Sequence, residues 1–434
     1  MSQLNDKDKR KLLLAATSLF AVKSLLVPKS FAEIPIEHFF ARELRLKSNR
    51  RAYLTDSGYA HFRTVVDILD GANVFDGVAG YSDIWDAWRK VVEEWLSNGL
   101  GPENADEVIQ AIADLVAEEV DDHTFLVPLF GIEIDGVDSF ELGAMSILRM
   151  SPDVLDSAGV VHSHADVSYI LKLNENFLWL KGSARGTRRV ARKRFTEQAN
   201  LTVGVLAITS ASMYEGGASN FRIGIVMTPE ETMGRAVWFS WHESDRNLTT
   251  HFALPHGQRL PVKSALGAES DMVRGLYRLF EILRSDNRTQ LEEAIVRAVY
   301  WFSDAHRDPV LVMKLVKYWS CVEAFFSFEN EQITHAVSAG LASILVSGGF
   351  QFVPSSEYNA LKKRIIDLYK LRSGAVHRGS HQHTTDQDVA QFSQWIAWMI
   401  VSMVVLAERG YTTLMQVKAQ TDRLDGMQKQ PSTK

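Results

Sequence analysis

The sequence predicts an α+β fold, with a helical region over 1–120, a mixed β-rich region over 121–265 and an all-α bundle over 266–423. The spacing of apolar residues supports this division, because it is helical in the first and third regions and largely alternating in the second. The 434 residues, 46% hydrophobic and 23% charged, have ordinary globular composition and enough length for two or three domains. The polar residues 424–434 predict a disordered tail.

The first region begins with a segment that imitates a secretion signal. Basic residues within 7–11 precede an apolar stretch over 12–22, but Lys23 follows at once and no small-residue cleavage site is evident. An amphipathic helix is therefore the favoured interpretation of this segment. Apolar residues at helical spacing predict two further helices, over 83–95 and 104–120.

The second region alternates apolar and polar residues, which is typical of half-buried strands. Turn residues such as those at 135–136 separate the apolar runs. Extended segments are predicted over 125–136, 140–150, 167–173, 177–180, 201–209, 221–227, 236–241 and 248–252.

The third region predicts a compact up-and-down helical bundle. Its helices are expected over 272–283, 291–303, 310–328, 331–345, 357–372 and 389–409. The apolar stretch 395–407 is interrupted by Ser402 and is too short to span a bilayer. We expect a buried helix there, in part an oligomer interface, and no membrane association.

Charge and cysteine content limit the classes of function. The net charge is −6, so a nucleic-acid site must be a local basic patch and not the whole surface. Cys321 is the single cysteine, which excludes an intrachain disulfide and fits a reducing cytoplasm. The expected location is therefore cytoplasmic.

Arg372 and His377 are the candidate catalytic residues. They lie where an apolar helical pattern runs into glycines, within the segment 369–379, YKLRSGAVHRG. Cleavage of RNA by its own 2′-hydroxyl needs a proton removed from that oxygen and a proton delivered to the leaving 5′-oxygen, and histidine does either near neutral pH. A guanidinium binds the charged phosphate with two hydrogen bonds.

The spacing of the pair constrains how a site is built. Five residues of ideal helix place two side chains about 140° apart. A shared site therefore needs a helix end near Gly374 or a groove between two subunits. The spacing alone is a weak motif, since with 13 histidines about one chance match is expected. A degenerate or structural pair remains the alternative to a functional one.

Three segments of the last region carry a family resemblance. Residues 369–379, the helix 319–326 (WSCVEAFF) and the apolar helix 395–407 resemble the Apea-like branch of the HEPN superfamily. HEPN denotes the nucleotide-binding domain shared by higher eukaryotes and prokaryotes. The segments 125–136 (FLVPLFGIEIDG) and 140–149 (FELGAMSILR) are similar to the region that precedes this module in many relatives.

The resemblance implies a four- or five-helix bundle that forms a homodimer or higher oligomer and cleaves single-stranded RNA without metal or cofactor. Such relatives serve as prokaryotic antiviral effectors or toxins, which implies a phage or regulatory protein as trigger. Many nuclease members place Asn, Asp or His directly after the arginine, whereas this chain has Ser373. The alternative is therefore an inactive HEPN module that binds RNA, a nucleotide or a protein partner.

Further residues are candidates to support the site. Glu323 on a neighbouring helix is expected to hold Arg372, or else to form a purely structural pair with it. Tyr369 either lines the site or packs in the core, and Ser373 and Arg378 lie beside the pair.

The most basic stretch is 185–195, RGTRRVARKRF. On a helix it forms a stripe that tracks RNA phosphates or, equally, a solvated face, with Val190, Ala191 and Phe195 turned inward. The stripe comprises Arg185, Arg188, Arg189, Arg192 and Lys193.

Two histidine groups raise the question of a metal. His162 and His164 with Asp166 on an extended segment suit a metal only weakly, and surface histidines are the favoured interpretation. His381 and His383, close after His377, lack the spacing of a zinc site and predict a basic loop. We therefore expect no metal centre.

Overall fold

The structure is a computed structural model that describes residues 4–26, 42–160, 163–175, 177–227, 236–240, 249–253, 258–327, 333–379 and 383–429. It is a mixed α+β fold with a helical C-terminal region, as predicted. Its residues cluster into two compact units, which are described separately. The first comprises 1–125 with 183–196, and the second comprises 126–182 with 197–434.

The first unit is mainly helical. Its helices are α1 (Asp6–Leu19), α2 (Asp56–Gly71), α3 (Tyr81–Asn98) and α4 (Ala105–Glu119). A small antiparallel sheet has the order β1 (Leu25–Leu26), β3 (Arg51–Leu54), β2 (Glu43–Arg45). Asn5 caps α1 and Asn104 caps α4, as expected of side chains that accept a hydrogen bond from a free backbone amide. The core forms around Phe62 and Trp88, both fully buried.

The second unit contains most of a five-stranded sheet in the order β6-β7-β8-β4-β9. The strands are β4 (Asp121–Phe130), β6 (Ser139–Leu142), β7 (Met145–Leu148), β8 (Leu178–Gly186) and β9 (Gly224–Ile225). Strands β6 and β7 form an antiparallel hairpin, and β7 pairs antiparallel with β8, with Ile147 opposite Leu180. Two further pairs are β5 (Ile132–Glu133) with β12 (Leu260–Pro261), and β10 (Ala236–Ser240) with β11 (Thr249–Ala253).

The helices of the second unit include a C-terminal bundle. Before it come α5 (Pro152–Ser157), α6 (His164–Leu173), α7 (Arg188–Met213, which begins in the first unit), α8 (Gly217–Asn220) and α9 (Val262–Leu266). The bundle has α10 (Asp271–Arg284), α11 (Gln290–Arg307), α12 (Leu311–Phe326), α13 (Ile333–Ser347), α14 (Tyr358–Arg378), α15 (Asp386–Glu408) and α16 (Leu414–Lys429). Trp319, Phe325 and Phe392 are fully buried at its centre, and Cys321 is buried beside them.

Two segments predicted to be extended are helices. Residues 167–173 belong to α6, and residues 201–209 belong to α7. Val203, Val205 and Ile208 are all completely buried, so the run is apolar on every side and shows no helical period. A short apolar run of this kind does not distinguish a buried helix from a buried strand by its pattern.

The predicted disordered tail is wrong for residues 424–429, which are the last part of α16. Asp425 is buried, accepts a hydrogen bond from the Tyr358 hydroxyl at 2.5 Å and pairs with Lys362 at 2.7 Å. Residues 430–434 lie outside the described part. The boundary expected near 265 also does not separate compact units, because the residues on both sides of it belong to the second unit.

Helix α15 contains the apolar stretch that was expected to be a buried helix. Within the described part of the chain it is the one helix long and apolar enough to cross a membrane, and 72% of its most apolar stretch is buried inside the protein. That degree of burial is typical of the core helix of a bundle.

Candidate functional site

The two candidate catalytic residues lie on one uninterrupted helix. Helix α14 continues through Gly374 and ends at Arg378, where Gly379 adopts a left-handed conformation with φ 63°. Of the two alternatives for a shared site, the helix end near Gly374 is therefore excluded. Five helical residues separate Arg372 from His377, so their side chains leave the axis in directions about 140° apart.

Arg372 is held by Glu323 of the neighbouring helix α12. Its Nη2 lies 3.0 Å from Glu323 Oε1 and donates to Oε2 at 3.2 Å. Both side chains are about one-fifth exposed, at 20% and 23%. The contact expected between these two residues is present, and it fixes the guanidinium at the edge of the bundle.

Aromatic rings pack against the Glu323–Arg372 ion pair. The Arg372 guanidinium lies 5.7 Å from the centre of the Tyr369 ring, within range of a cation–π contact. Tyr369 in turn meets buried Trp319 edge to face at 5.1 Å. Tyr369 therefore contacts both the buried Trp319 ring and the Arg372 guanidinium. Core packing is present, and lining of a site stays a prediction.

Burial shapes the electrostatics of the pair. It raises the pKa of Glu323 above its usual value, and the charge and hydrogen bond of Arg372 oppose this rise only in part. Arg372 Nε is buried and has no hydrogen-bond partner among the described residues. A buried donor without a partner costs about 1–3 kcal/mol. The pair is thus a constrained arrangement and not an exposed surface contact.

The other side of α14 faces solvent near its end. His377 and Arg378 are exposed, Val376 is 48% exposed, and Ser373 is half-buried. An exposed imidazole is able to exchange protons with a bound molecule. Within one chain, however, this imidazole and the Arg372 guanidinium leave the helix axis in different directions.

The basic stretch divides into structural and exposed cations, all within the first unit. Arg185 lies in β8 and not on the helix, so the predicted stripe is wrong at that position. Arg189 binds Asp83 at 3.3 Å and Asp86 at 2.9 Å. Arg194 donates to two backbone carbonyls, those of residues 185 and 77.

The remaining cations of the stretch are exposed. Arg188, Arg192 and Lys193 form no ion pair with the described residues, while Ala191 and Phe195 are fully buried, as predicted. Val190 is half-buried. Three exposed cations on two helical turns form a small basic face, and the fourth predicted member, Arg189, is occupied by carboxylates.

The histidine groups give no metal centre in the described part of the chain. His162 and His381 lie outside the described residues. His164 begins helix α6, so it is not on the extended segment that was expected. No group of three or more potential metal-binding side chains is present among the described residues.

A cavity in the second unit was not foreseen from the sequence. It has a volume of about 490 Å³ and its lining includes Arg222, His306, Arg307 and Lys314. These residues come from three separate parts of the sequence. The one local signal was the end of α11, where a histidine and an arginine precede Asp308 and a proline.

Comparison with known proteins leaves the resemblance untested. No family model, no curated protein and no solved structure matches the chain. A function for the chain is therefore argued from the residues and geometry described above.

Proposed function

We propose that the chain is a metal-independent endoribonuclease of the HEPN type that cleaves single-stranded RNA at a site composed of two copies. The observation that carries the proposal is the arrangement on α14. The half-buried carboxylate of Glu323 holds the Arg372 guanidinium at the bundle edge, and an exposed imidazole, that of His377, follows on the same helix. The proposed setting is the cytoplasm of a prokaryote, where the enzyme acts in antiviral defence or as a toxin released by a phage or regulatory protein.

The reaction needs only protein groups. The 2′-oxygen of the RNA attacks the adjacent phosphorus, the bond from phosphorus to the 5′-oxygen breaks, and a 2′,3′-cyclic phosphate forms. His377 either accepts the proton of the 2′-hydroxyl or delivers one to the leaving 5′-oxygen, and water accepts or supplies the other proton. Arg372 binds the phosphate oxygens as their charge increases. Glu323 occupies Nη2, which leaves the Nη1 donors of the guanidinium for the substrate.

Two copies resolve the angular separation of the pair. Each chain presents its guanidinium and its imidazole on different sides of α14, about 7.5 Å apart along the axis. In the proposed two-fold dimer the arginine of one copy lies near the histidine of the other, and the symmetry repeats this contact in a second site. Exposed Val376, next to His377, gives this interface an apolar contact.

The test uses purified protein, single-stranded RNA labelled at its 5′ end and an excess of chelator. We expect cleavage with a cyclic phosphate terminus, and a loss of about 10²-fold or more in Arg372→Ala and in His377→Ala. Lys370→Ala changes an exposed cation on the same helix and is the matched control. Intact RNA with dimeric wild type, or unchanged cleavage in both variants, refutes the proposal.

Mixing the two inactive variants tests the composite site. A heterodimer of the Arg372→Ala and His377→Ala chains keeps one site with both groups. Half of the randomly mixed dimers are heterodimers with one of two sites intact, so activity returns to about one quarter of wild type. No recovery on mixing excludes a site shared in this way.

An inactive binding module is the second candidate, and one observation favours it. Glu323 already neutralises Arg372, so the cation makes a structural ion pair in the single chain. RNA would then bind without cleavage, and the logarithm of its affinity would fall linearly with the logarithm of salt concentration. The exposed Arg188, Arg192, Lys193 and Arg378 are the candidate phosphate contacts in either case.

A further inference from the structure

The cavity of about 490 Å³ in the second unit has an excess of positive charge. Three of its lining residues are cations, Arg222, Arg307 and Lys314, and two are carboxylates, Asp308 and Asp386. A cavity of this size accommodates a small organic molecule. Its charge indicates which kind of molecule it is suited to bind.

Asp308 also has partners outside the lining of the cavity. Its carboxylate pairs with Lys317 at 2.7 Å and accepts a hydrogen bond from the Val310 amide at 2.8 Å. Lys317 is shared with Asp304 at 2.9 Å. Asp308 and Asp386 both act on the charge of Lys314, so the described lining sets two carboxylates against three cations.

Lys314 lies among these charges. Burial lowers the pKa of its ammonium group and the charge of Arg222 lowers it further, while Asp308 and Asp386 raise it in part. Two cations that repel each other in a partly desolvated site are stabilised by an anion between them. The cavity thus has a physical requirement for negative charge that its own carboxylates meet only in part.

His306 makes the wall rigid without adding charge. It is 5% exposed, and its Nε2 accepts a hydrogen bond from the backbone amide of Ile223 at 3.1 Å. A nitrogen that accepts this bond carries no proton, so the ring is neutral, with its hydrogen on Nδ1. The bond fixes Ile223 against α11 and thereby positions its neighbour Arg222 in the wall.

The rest of the lining is substantially apolar. Phe130, Ile225, Leu311 and Val389 contribute hydrocarbon surface next to the cations. A bare inorganic ion leaves this surface in contact with water. A ligand with both a charged group and an apolar body covers both parts of the wall.

We propose that this cavity binds a small phosphate monoester that carries an aromatic or aliphatic body. A phosphate monoester has a charge of about −1.5 to −2 at neutral pH and three acceptor oxygens, which suits the Arg222 guanidinium and the Lys314 ammonium group. The apolar body packs on Phe130 and Leu311. This binding site is separate from Arg372 and His377 and goes beyond the proposed nuclease function.

Calorimetric titration of the full chain tests the proposal with phenyl phosphate as probe. Inorganic phosphate, phenol and benzoate are the comparison ligands. We expect phenyl phosphate to bind, and to bind at least tenfold more tightly than each of the three. The matched variants are Lys314→Met, which keeps the length of the side chain, and Arg222→Gln, and each should weaken phenyl phosphate at least tenfold. Arg274→Gln, at a strongly exposed cation of α10, should leave it unchanged.

The contrary outcomes of this titration each overturn the proposal or one part of it. Absence of phenyl phosphate binding to wild type overturns it, as does equal binding to all the variants. Benzoate bound as tightly as phenyl phosphate overturns the assignment of a phosphate, and inorganic phosphate bound as tightly overturns the role of the apolar wall. Thermal unfolding of each variant without ligand, matched to wild type, separates lost binding from lost folding. RNA cleavage is not part of the readout, so the nuclease proposal stands or falls independently.

Discussion

Acid should destabilise the second unit through His306, a residue that no proposed reaction uses. Burial, together with the charges of Lys314, Arg307 and Arg222, lowers the pKa of this histidine to about 3. The hydrogen bond from Ile223 has the same effect, because a protonated Nε2 cannot accept it. The folded unit therefore keeps His306 neutral where the unfolded chain binds a proton.

The sign and size of the effect follow from this difference. Below about pH 6.5 the unfolded state binds more protons than the folded state, so the free energy of unfolding falls as pH falls toward 3. Each pH unit in this window costs about 1.4 kcal/mol. Between pH 7 and pH 5 the loss is about 2 kcal/mol, and above pH 7.5 there is no further change from this group.

The variant His306→Gln isolates the contribution. Its side-chain oxygen replaces Nε2 as acceptor for the Ile223 amide but binds no proton in this range. The variant should be less stable than wild type at pH 7, by about 1–2 kcal/mol for imperfect replacement of the buried ring. At pH 5 the gap should shift by about 2 kcal/mol in favour of the variant. Other titrating groups cancel because only the difference between the two proteins is compared.

The single cysteine provides an assay for this unit alone. Cys321 is completely buried in the bundle core, and burial raises the pKa of its thiol well above the usual value. Its labelling by 4,4′-dithiodipyridine across a urea series therefore reports opening of the second unit. His335→Gln, at an exposed histidine of α13, is the control. A gap between wild type and His306→Gln that is equal at pH 7 and pH 5 refutes the reasoning.

Three further predictions concern stability. Ending the chain at residue 423 removes buried Asp425 and should lower the free energy of unfolding by about 3 kcal/mol or more, measured by the same cysteine labelling, whereas a tail without structure would give no change. Gly340→Ala places a methyl group against the Phe326 ring and should lower the free energy of unfolding by about 1–3 kcal/mol. Gly426→Ala, in open space on α16, should raise the free energy of unfolding by a few tenths to about 1 kcal/mol, and urea midpoints measure both changes. Asp83→Asn removes the buried charge that binds Thr187 and Arg189 of the basic stretch. It should lower the melting temperature of the first unit, measured by tryptophan fluorescence, and an unchanged melting temperature contradicts this prediction.

The sequence predicted the bundle well because its helices are amphipathic. Helix α10, with Met272, Leu276 and Leu279 on its buried side, shows the pattern clearly, and its observed bounds are within a residue of the prediction. Helix α7 was missed over 201–209 because a helix buried on all sides has no polar face to reveal its period.

Contacts between residues far apart in the sequence are the second feature that is difficult to predict from the sequence alone. The Glu323–Arg372 contact was anticipated from the chemistry of a fixed cation, although 49 positions separate the two residues. The cavity around His306 was not, because Arg222 and Lys314 follow no spacing rule and meet only through the packing of the second unit. A sequence reveals such groups when their spacing repeats a known motif, and it does not when tertiary packing alone unites them.

The position at which α14 ends bears on the proposed site shared by two copies. A glycine inside a helix costs only about 1 kcal/mol, which packing of the apolar side of the helix offsets, so Gly374 does not break it. Gly379 does end it, because its left-handed conformation is open to glycine and costly for other residues. Arg372 and His377 consequently leave one continuous helix in directions about 140° apart. Under the nuclease proposal, the composite site makes cleavage depend on protein concentration in the range where dimers dissociate. A specific activity that stays constant for a demonstrated monomer would require a different pair of catalytic groups.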